Sequence, residues 1–181
     1  MQEFRKQIQF TYERQPIAIF LLGTNGSGKS TLRSYLDLSE ITINIDPDLL
    51  NKAYKNKYPK TYEIESAKEA LCQINNAIDK GINFCIESTL AGHGTMQRIK
   101  KAKASGFFVV AYYVSLDSVE INLERIKQRV SKGGHDIPEA TVRKRFIESK
   151  NNLEKIKNSF DKLYLIDNSS PRFKLLWPVV E

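Results

Sequence analysis

Apolar residues along this chain switch between short continuous runs and stripes that recur at three- or four-residue steps, the signatures of buried strands and amphipathic helices. Ile17-Ala18-Ile19-Phe20-Leu21-Leu22 is a continuous run, as expected of a strand buried on both faces. A glycine-rich loop follows, then a helix carrying Leu32, Tyr35 and Leu36. A second strand near Ile41 to Ile45 ends at Asp46. Ile64, Ala67, Leu71, Ile74 and Ile78 form a helical stripe, with Gly81 at the stop position. A third strand, Ile82 to Ile86, ends at Glu87, and a helix from about Thr95 to Ser105 is closed by Gly106. Phe107 to Val114 is the fourth strand. Asp117 stands as the cap of a helix striped by Val119, Leu123, Ile126 and Val130. After the loop at 131–138, a helix to about Asn158 turns Val142, Phe146, Leu153, Ile156 and Phe160 inward. Leu163 to Ile166 reads as the last strand, ending at Asp167-Asn168-Ser169.

Strands alternating with helices predict an α/β fold, a three-layer sandwich around a parallel sheet of roughly five strands joined by right-handed crossovers. Length predicts one domain over residues 1–181, with a helical lid at about 118–150. In such sheets ligands bind beyond the C-terminal strand ends. The glycine loop, Asp46, Glu87, Ser115 with Asp117, and Asp167 all fall there.

Composition adds a few bounds. The formal net charge of +7 favours anionic partners, and its dispersed lysines and arginines suit a polyphosphate as well as a nucleic acid. Two cysteines, Cys72 and Cys85, have no metal-type spacing and read as reduced, buried thiols. No apolar run approaches a membrane span, and Met1 to Arg14 lacks the apolar core of a signal peptide, so a cytoplasmic protein is expected. That segment and the Trp177-Pro178 tail read as cover for the core edge.

The loop Gly23-Thr24-Asn25-Gly26-Ser27-Gly28-Lys29-Ser30 matches the Walker A pattern in full, between a buried strand and a helix. Its glycines let successive backbone N–H groups point at phosphate oxygens, and the following helix adds its N-terminal dipole. Lys29 is expected at the β- and γ-phosphates of ATP, and the Ser30 hydroxyl on Mg2+. The third strand ends in Glu87-Ser88-Thr89, without the Asp-Glu pair of a motor or transporter ATPase. Glu87 and Thr89 there suggest recognition of hydroxyl or amide groups. Asp46 has two compatible readings: cap of a helix starting at Pro47, or acceptor of a proton from an attacking hydroxyl. Arg125 and Arg129 share a helical face, and with Arg143 and Arg145 beyond Lys132-Gly133-Gly134-His135 they look like a basic lid. His93 and His135 form no metal constellation.

These residues resemble the zeta-toxin-like P-loop kinases, in particular their short members. The resemblance spans about Ile17 to Asn168 and rests on an ordered set of pieces. They are Gly23 to Thr31, Asn44-Ile45-Asp46-Pro47-Asp48, Phe84 to Leu90, Arg125 to Val130 with Lys132 to Pro138, Arg143 to Phe146, Asn151-Asn152-Leu153 and Asp167-Asn168-Ser169. It implies ATP and Mg2+ as cofactors, with Gly23 to Thr31, Arg129 and Asn168 at the nucleotide and Ser30 at the metal. It implies Asp46 as general base, Lys29 and Arg125 at the transferring phosphate, and Glu87 and Thr89 on a sugar substrate. A further substrate-side carboxylate would be Glu65 or Glu69. Longer zeta toxins phosphorylate the amino sugar of UDP-N-acetylglucosamine and are restrained by an antitoxin. A nucleotide-sugar-like acceptor and an antitoxin partner are therefore expected here.

Two other readings stand beside the kinase: a regulatory ATPase or nucleotide-dependent binding module, and a kinase for nucleic-acid ends. The latter draws on the charge of +7, but no basic surface interleaved with aromatics marks a nucleic-acid partner.

Overall fold

The computed structural model describes residues 15–178, so the expected role of Met1 to Arg14 lies outside it. A six-stranded sheet in the order β2-β3-β1-β4-β5-β6 organises the chain. Its strands are β1 (Ile17–Leu22), β2 (Ile43–Ile45), β3 (Phe84–Ser88), β4 (Phe108–Ser115), β5 (Lys162–Asp167) and β6 (Lys174–Pro178). Strands β1 to β5 pair in parallel, and β6 lies antiparallel against β5. The sheet expected from the sequence is thus present with one antiparallel edge strand added, and the Trp177-Pro178 backbone belongs to that strand. Central β1 is buried at every position, which its unbroken apolar run requires.

The helices are α1 (Lys29–Arg33), α2 (Pro47–Lys57), α3 (Tyr62–Asp79), α4 (His93–Ala104), α5 (Val119–Ser131) and α6 (Glu139–Ile156). One face of the sheet, including Phe20, Phe84 and Ala111, packs against Ile74 and Ile78 of α3, Ile99 of α4, and Leu153 and Ile156 of α6. The opposite face, with Leu21, Cys85 and Tyr112, is covered by Leu32 of α1 and by Leu36, Leu38, Ile41 and Phe173. Tyr112 and Tyr164 stack there, ring centroids 4.9 Å apart.

Four expectations are corrected. The buried face of α3 is Ser66, Ala70, Ile74, Ala77 and Ile78, while Ile64 and Leu71 are exposed. In α5 the buried positions are Asn122 and Ile126, and Val130 turns outward. Ser118, rather than Asp117, occupies the N-cap of α5. Cys72 is exposed; Cys85 is buried, which pushes its thiol up to about 12 and leaves it inert. Gly81 and Gly106 do stand just past their helices with positive φ.

Among the described residues, no helix is long and apolar enough to cross a membrane.

Candidate active site

The phosphate loop is braced from every side. Gly23, Gly26 and Gly28 adopt φ values of 136, 78 and 102°, which curl the backbone inward. A Cβ on Gly23 would lie 2.3 Å from the Val114 carbonyl oxygen, so the loop enters hard against the end of β4. Asn168, at the end of β5, donates from Nδ2 to the Ser27 carbonyl at 2.7 Å. Asn122 of α5, fully buried, donates to Thr24 Oγ1 at 2.8 Å and the Asn25 carbonyl at 2.6 Å. Lys29 Nζ folds onto the carbonyls of Gly23 and Thr24, at 2.8 and 3.1 Å.

Helix α1 is five residues long, so its dipole is a smaller contributor than the sequence suggests. The loop amides and Lys29 are the groups here that could receive an anion. Gly23→Ala is expected to cost about 3–5 kcal/mol, since it adds a steric overlap to a backbone conformation alanine resists. A urea midpoint equal to the parent's would contradict that packing.

Beside the loop, two carboxylates from neighbouring strands meet. Ser30 Oγ donates to Glu87 Oε2 at 3.0 Å. Arg33 Nη1 lies 3.3 Å from Glu87 Oε1 and 3.6 Å from Asp46 Oδ2. The backbone N–H of Leu49 donates to Asp46 Oδ1 at 3.3 Å, so one oxygen caps α2 while the other faces Arg33. The two readings of Asp46 are therefore geometrically compatible.

Burial, and then the charge of Asp46, hold the Glu87 carboxyl above the usual carboxylate range, against the pull of Lys29, Ser30 and Arg33. A carboxyl raised in the folded state contributes stability below its unfolded pKa and loses it as pH rises through the folded value. The melting temperature of Glu87→Gln minus that of the parent is therefore expected to increase from about pH 4 to about pH 8. A difference that is flat or falls with pH contradicts the assignment.

A hydroxyl-bearing residue backed by a buried carboxylate is a donor set of hard oxygens suited to Mg2+. The buried Ser27 Oγ has no partner among the described residues, as expected of a hydroxyl at a phosphate cradle. The residues thus fit Mg2+ and a polyphosphate.

The four lid arginines sort into two pairs. Arg125 donates to the Asn168 carbonyl after β5 at 2.7 Å, and Arg145 to Asn25 Oδ1 of the glycine-rich loop at 2.9 Å. Arg129 instead donates to the His135 carbonyl at 2.6 Å and fixes the loop between α5 and α6. Arg143 is exposed and bridges Glu120 and Glu139. Thr31 is exposed on α1.

On the other side of Glu87, Thr89 opens a tight loop in which its Oγ1 accepts from the Ala91 N–H at 3.4 Å. Leu90 follows with φ 57°, a left-handed conformation costing a leucine about 1–2 kcal/mol. Glu65 pairs with Lys68 on α3, whereas Glu69 accepts from Gln73 and faces Tyr54 of α2.

Two residues at this site, Arg33 and Asn122, escaped the sequence reading, and a third, Asn152, entered it only as part of the resemblance, with no contact assigned. Arg33 lies three residues past Ser30, hence on its helical face. Asn122 is an amide inside the apolar stripe of α5, a pattern that flags a buried polar contact. Asn152 of α6, buried, donates to the carbonyls of Leu90 and Ala91. Among the described residues, no group of His, Cys, Asp and Glu could hold a metal by itself.

Comparison with known proteins agrees with this geometry. The zeta toxin family model matches residues 2–172. A Haemophilus influenzae protein described only as uncharacterized is 44% identical over 129 residues, covering 71% of this chain and 91% of that protein. A structure of the PezAT chromosomal toxin–antitoxin system of Streptococcus pneumoniae superposes with a TM-score of 0.67 at 16% identity, covering 98% of this chain and 76% of that one. The AvrRxo1-ORF1:-ORF2 complex with ATP gives a TM-score of 0.71 at 15% identity over 93% of this chain and 59% of that one. A Sinorhizobium meliloti gluconokinase gives 0.50 at 17% identity, over 88% and 86%. With its family matched over nearly its whole length and its glycine-rich loop set at the end of the central strand of the sheet, the chain belongs to the zeta toxin family and has the P-loop kinase fold.

Proposed function

We propose that this protein is an ATP-dependent kinase that transfers the γ-phosphate to a hydroxyl of a nucleotide-sugar-like small molecule. UDP-N-acetylglucosamine is the first acceptor to test. The observation that carries the reading is the pairing of Asp46 and Glu87 through Arg33, directly beside Ser30 of the phosphate loop.

The geometry supports a division of labour. Glu87 is tied to Ser30 and belongs to the metal side of the site. Asp46 has one oxygen engaged with α2 and the other beside Arg33. In the transfer, the acceptor oxygen bonds to the γ-phosphorus as the bond to the β-phosphate oxygen breaks, and Asp46 takes the hydroxyl proton. Lys29 exchanges the carbonyls of Gly23 and Thr24 for phosphate oxygens. Bound Mg2+ would supply charge neutralisation, and Ser30 with Glu87 behind it would hold that ion.

Arg125 stands where the lid meets the loop after β5 and screens the developing charge. Arg129, engaged with the lid loop, would act by keeping the lid in shape. Thr24 to Gly28 and Thr31 line the nucleotide side, and Asn168 supports it from behind. Thr89 and Glu69 face the acceptor side in this reading. An antitoxin partner and a cytoplasmic location belong to the same reading; a toxin–antitoxin system among the structures of similar fold supports the former.

Mass spectrometry of UDP-N-acetylglucosamine incubated with Mg·ATP and the protein tests it. A gain of one phosphoryl group on the acceptor is expected. ADP formation with no acceptor modified, across a pool of nucleotides and sugars, would instead support the regulatory ATPase.

A further inference from the structure

Helix α6 carries a polar stripe on its inward side. Arg145, Ser149 and Asn152 fall at steps of four and three, one above the other on one face. Each bonds to a different part of the site. Arg145 Nη1 donates to Asn25 Oδ1 of the phosphate loop at 2.9 Å. The Ser149 and Tyr113 hydroxyls share a hydrogen bond at 3.1 Å, which anchors the middle of the stripe to β4. Asn152 Nδ2 donates to the carbonyls of Leu90 at 2.9 Å and Ala91 at 3.2 Å. About two helical turns, roughly 10 Å, separate the first contact from the last.

The loop that Asn152 grips has need of an outside hold. Leu90 is fully buried at φ 57°, a backbone state that an L side chain leaves unless its neighbours fix it. The loop's own bonds, Leu90 N–H to Ser88 Oγ at 3.2 Å and Ala91 N–H to Thr89 Oγ1 at 3.4 Å, engage its donors. Its carbonyls at Leu90 and Ala91 look to Asn152. The same loop begins one residue after Glu87 and contains Thr89.

We propose that Asn152 is a positioning residue: it holds the 88–91 loop in its strained form and, through α6 and Arg145, ties that loop to the phosphate loop. Nucleotide binding at Asn25 is thereby felt at Thr89, and the acceptor loop is ordered when the nucleotide is in place. The functional meaning rests on the kinase reading, in which Thr89 meets the acceptor. The mechanical coupling does not.

Hydrogen–deuterium exchange on the full chain, with and without Mg2+ and a non-hydrolysable ATP analogue, separates the two. In the parent, the analogue is expected to slow exchange at both 23–28 and 88–92. In Asn152→Ala, protection at 23–28 persists, while 88–92 exchanges about tenfold faster or more than in the liganded parent, the scale on which losing Asn152's two hydrogen bonds favours a local opening. Asn152→Asp, which keeps the shape and removes the donors, serves as the second variant and is expected to behave alike.

A parent whose 88–92 amides ignore the analogue overturns the proposal. So does a variant whose 88–92 amides keep the parent's response. Loss of protection at both loops together makes Asn152 a stability residue and also overturns it. A parent that phosphorylates no hydroxyl would sink the kinase reading and leave this exchange result standing on its own.

Discussion

Asp46→Asn is expected to bind Mg·ATP as the parent does and to transfer phosphate about a hundredfold to ten-thousandfold more slowly, the range a positioned acid–base group contributes. The substitution keeps the side-chain volume. An amide oxygen can still accept from the Leu49 N–H at the start of α2, as Asp46 Oδ1 does. What remains is an NH2 group toward Arg33, where a carboxylate oxygen stood at 3.6 Å. The site therefore keeps its fold, loses its proton acceptor and leaves Arg33 paired with Glu87 alone. Isothermal titration with Mg·ATP beside a transfer assay separates the two effects. Transfer at the parent's rate would remove Asp46 from the chemistry, and its place would be that of a helix cap.

Lys29→Ala is expected to weaken Mg·ATP binding and to lower kcat/KM by about a thousandfold or more, as removal of a cation from a transferring phosphate does. Among the described residues, the other cations of the site are engaged elsewhere. Arg33 is engaged by two carboxylates, Arg125 by the Asn168 carbonyl and Arg145 by Asn25. Lys29 also bridges the Gly23 and Thr24 carbonyls, so its loss loosens the loop that presents the amides. A variant within tenfold of the parent in both binding and transfer would mean that another group carries the phosphate charge.

The parts of this site legible in the sequence are those built from contiguous residues. The Walker loop is one stretch whose glycine spacing dictates its shape, and Asp46 and Glu87 follow apolar runs that end where a parallel sheet opens. Contacts across distant segments left weaker marks. Nothing local to Arg33 says that β2 and β3 will deliver one carboxylate each to its guanidinium. Asn122 went unnamed and Asn152 was one piece of the resemblance without a partner, because only the fold sets them against the backbone of two loops.

The face of α3 was misplaced for a different reason. Ile74 and Ile78 of the expected stripe are buried, yet Ile64 and Leu71 are not, because the N-terminal half of the helix packs through the small residues Ser66 and Ala70, which allow close approach. Hydrophobic size pointed one way and packing distance the other. Strand β6 was missed because it is a short edge strand carrying Lys174, whereas the buried parallel strands announce themselves by unbroken apolar runs. Two helices joined by a glycine loop were legible at 118–150. The partners of their arginines were not, since Arg125 and Arg129 share one helical face and only their hydrogen bonds separate them.

The measurement that tests the central claim most directly is transfer of label from γ-labelled ATP to UDP-N-acetylglucosamine by the parent and by Asp46→Asn, side by side. A labelled nucleotide sugar formed by the parent and nearly lost in the variant is the result this account predicts. Label on the acceptor in equal amounts from both proteins would contradict the role of Asp46, and label released only as inorganic phosphate would contradict the kinase.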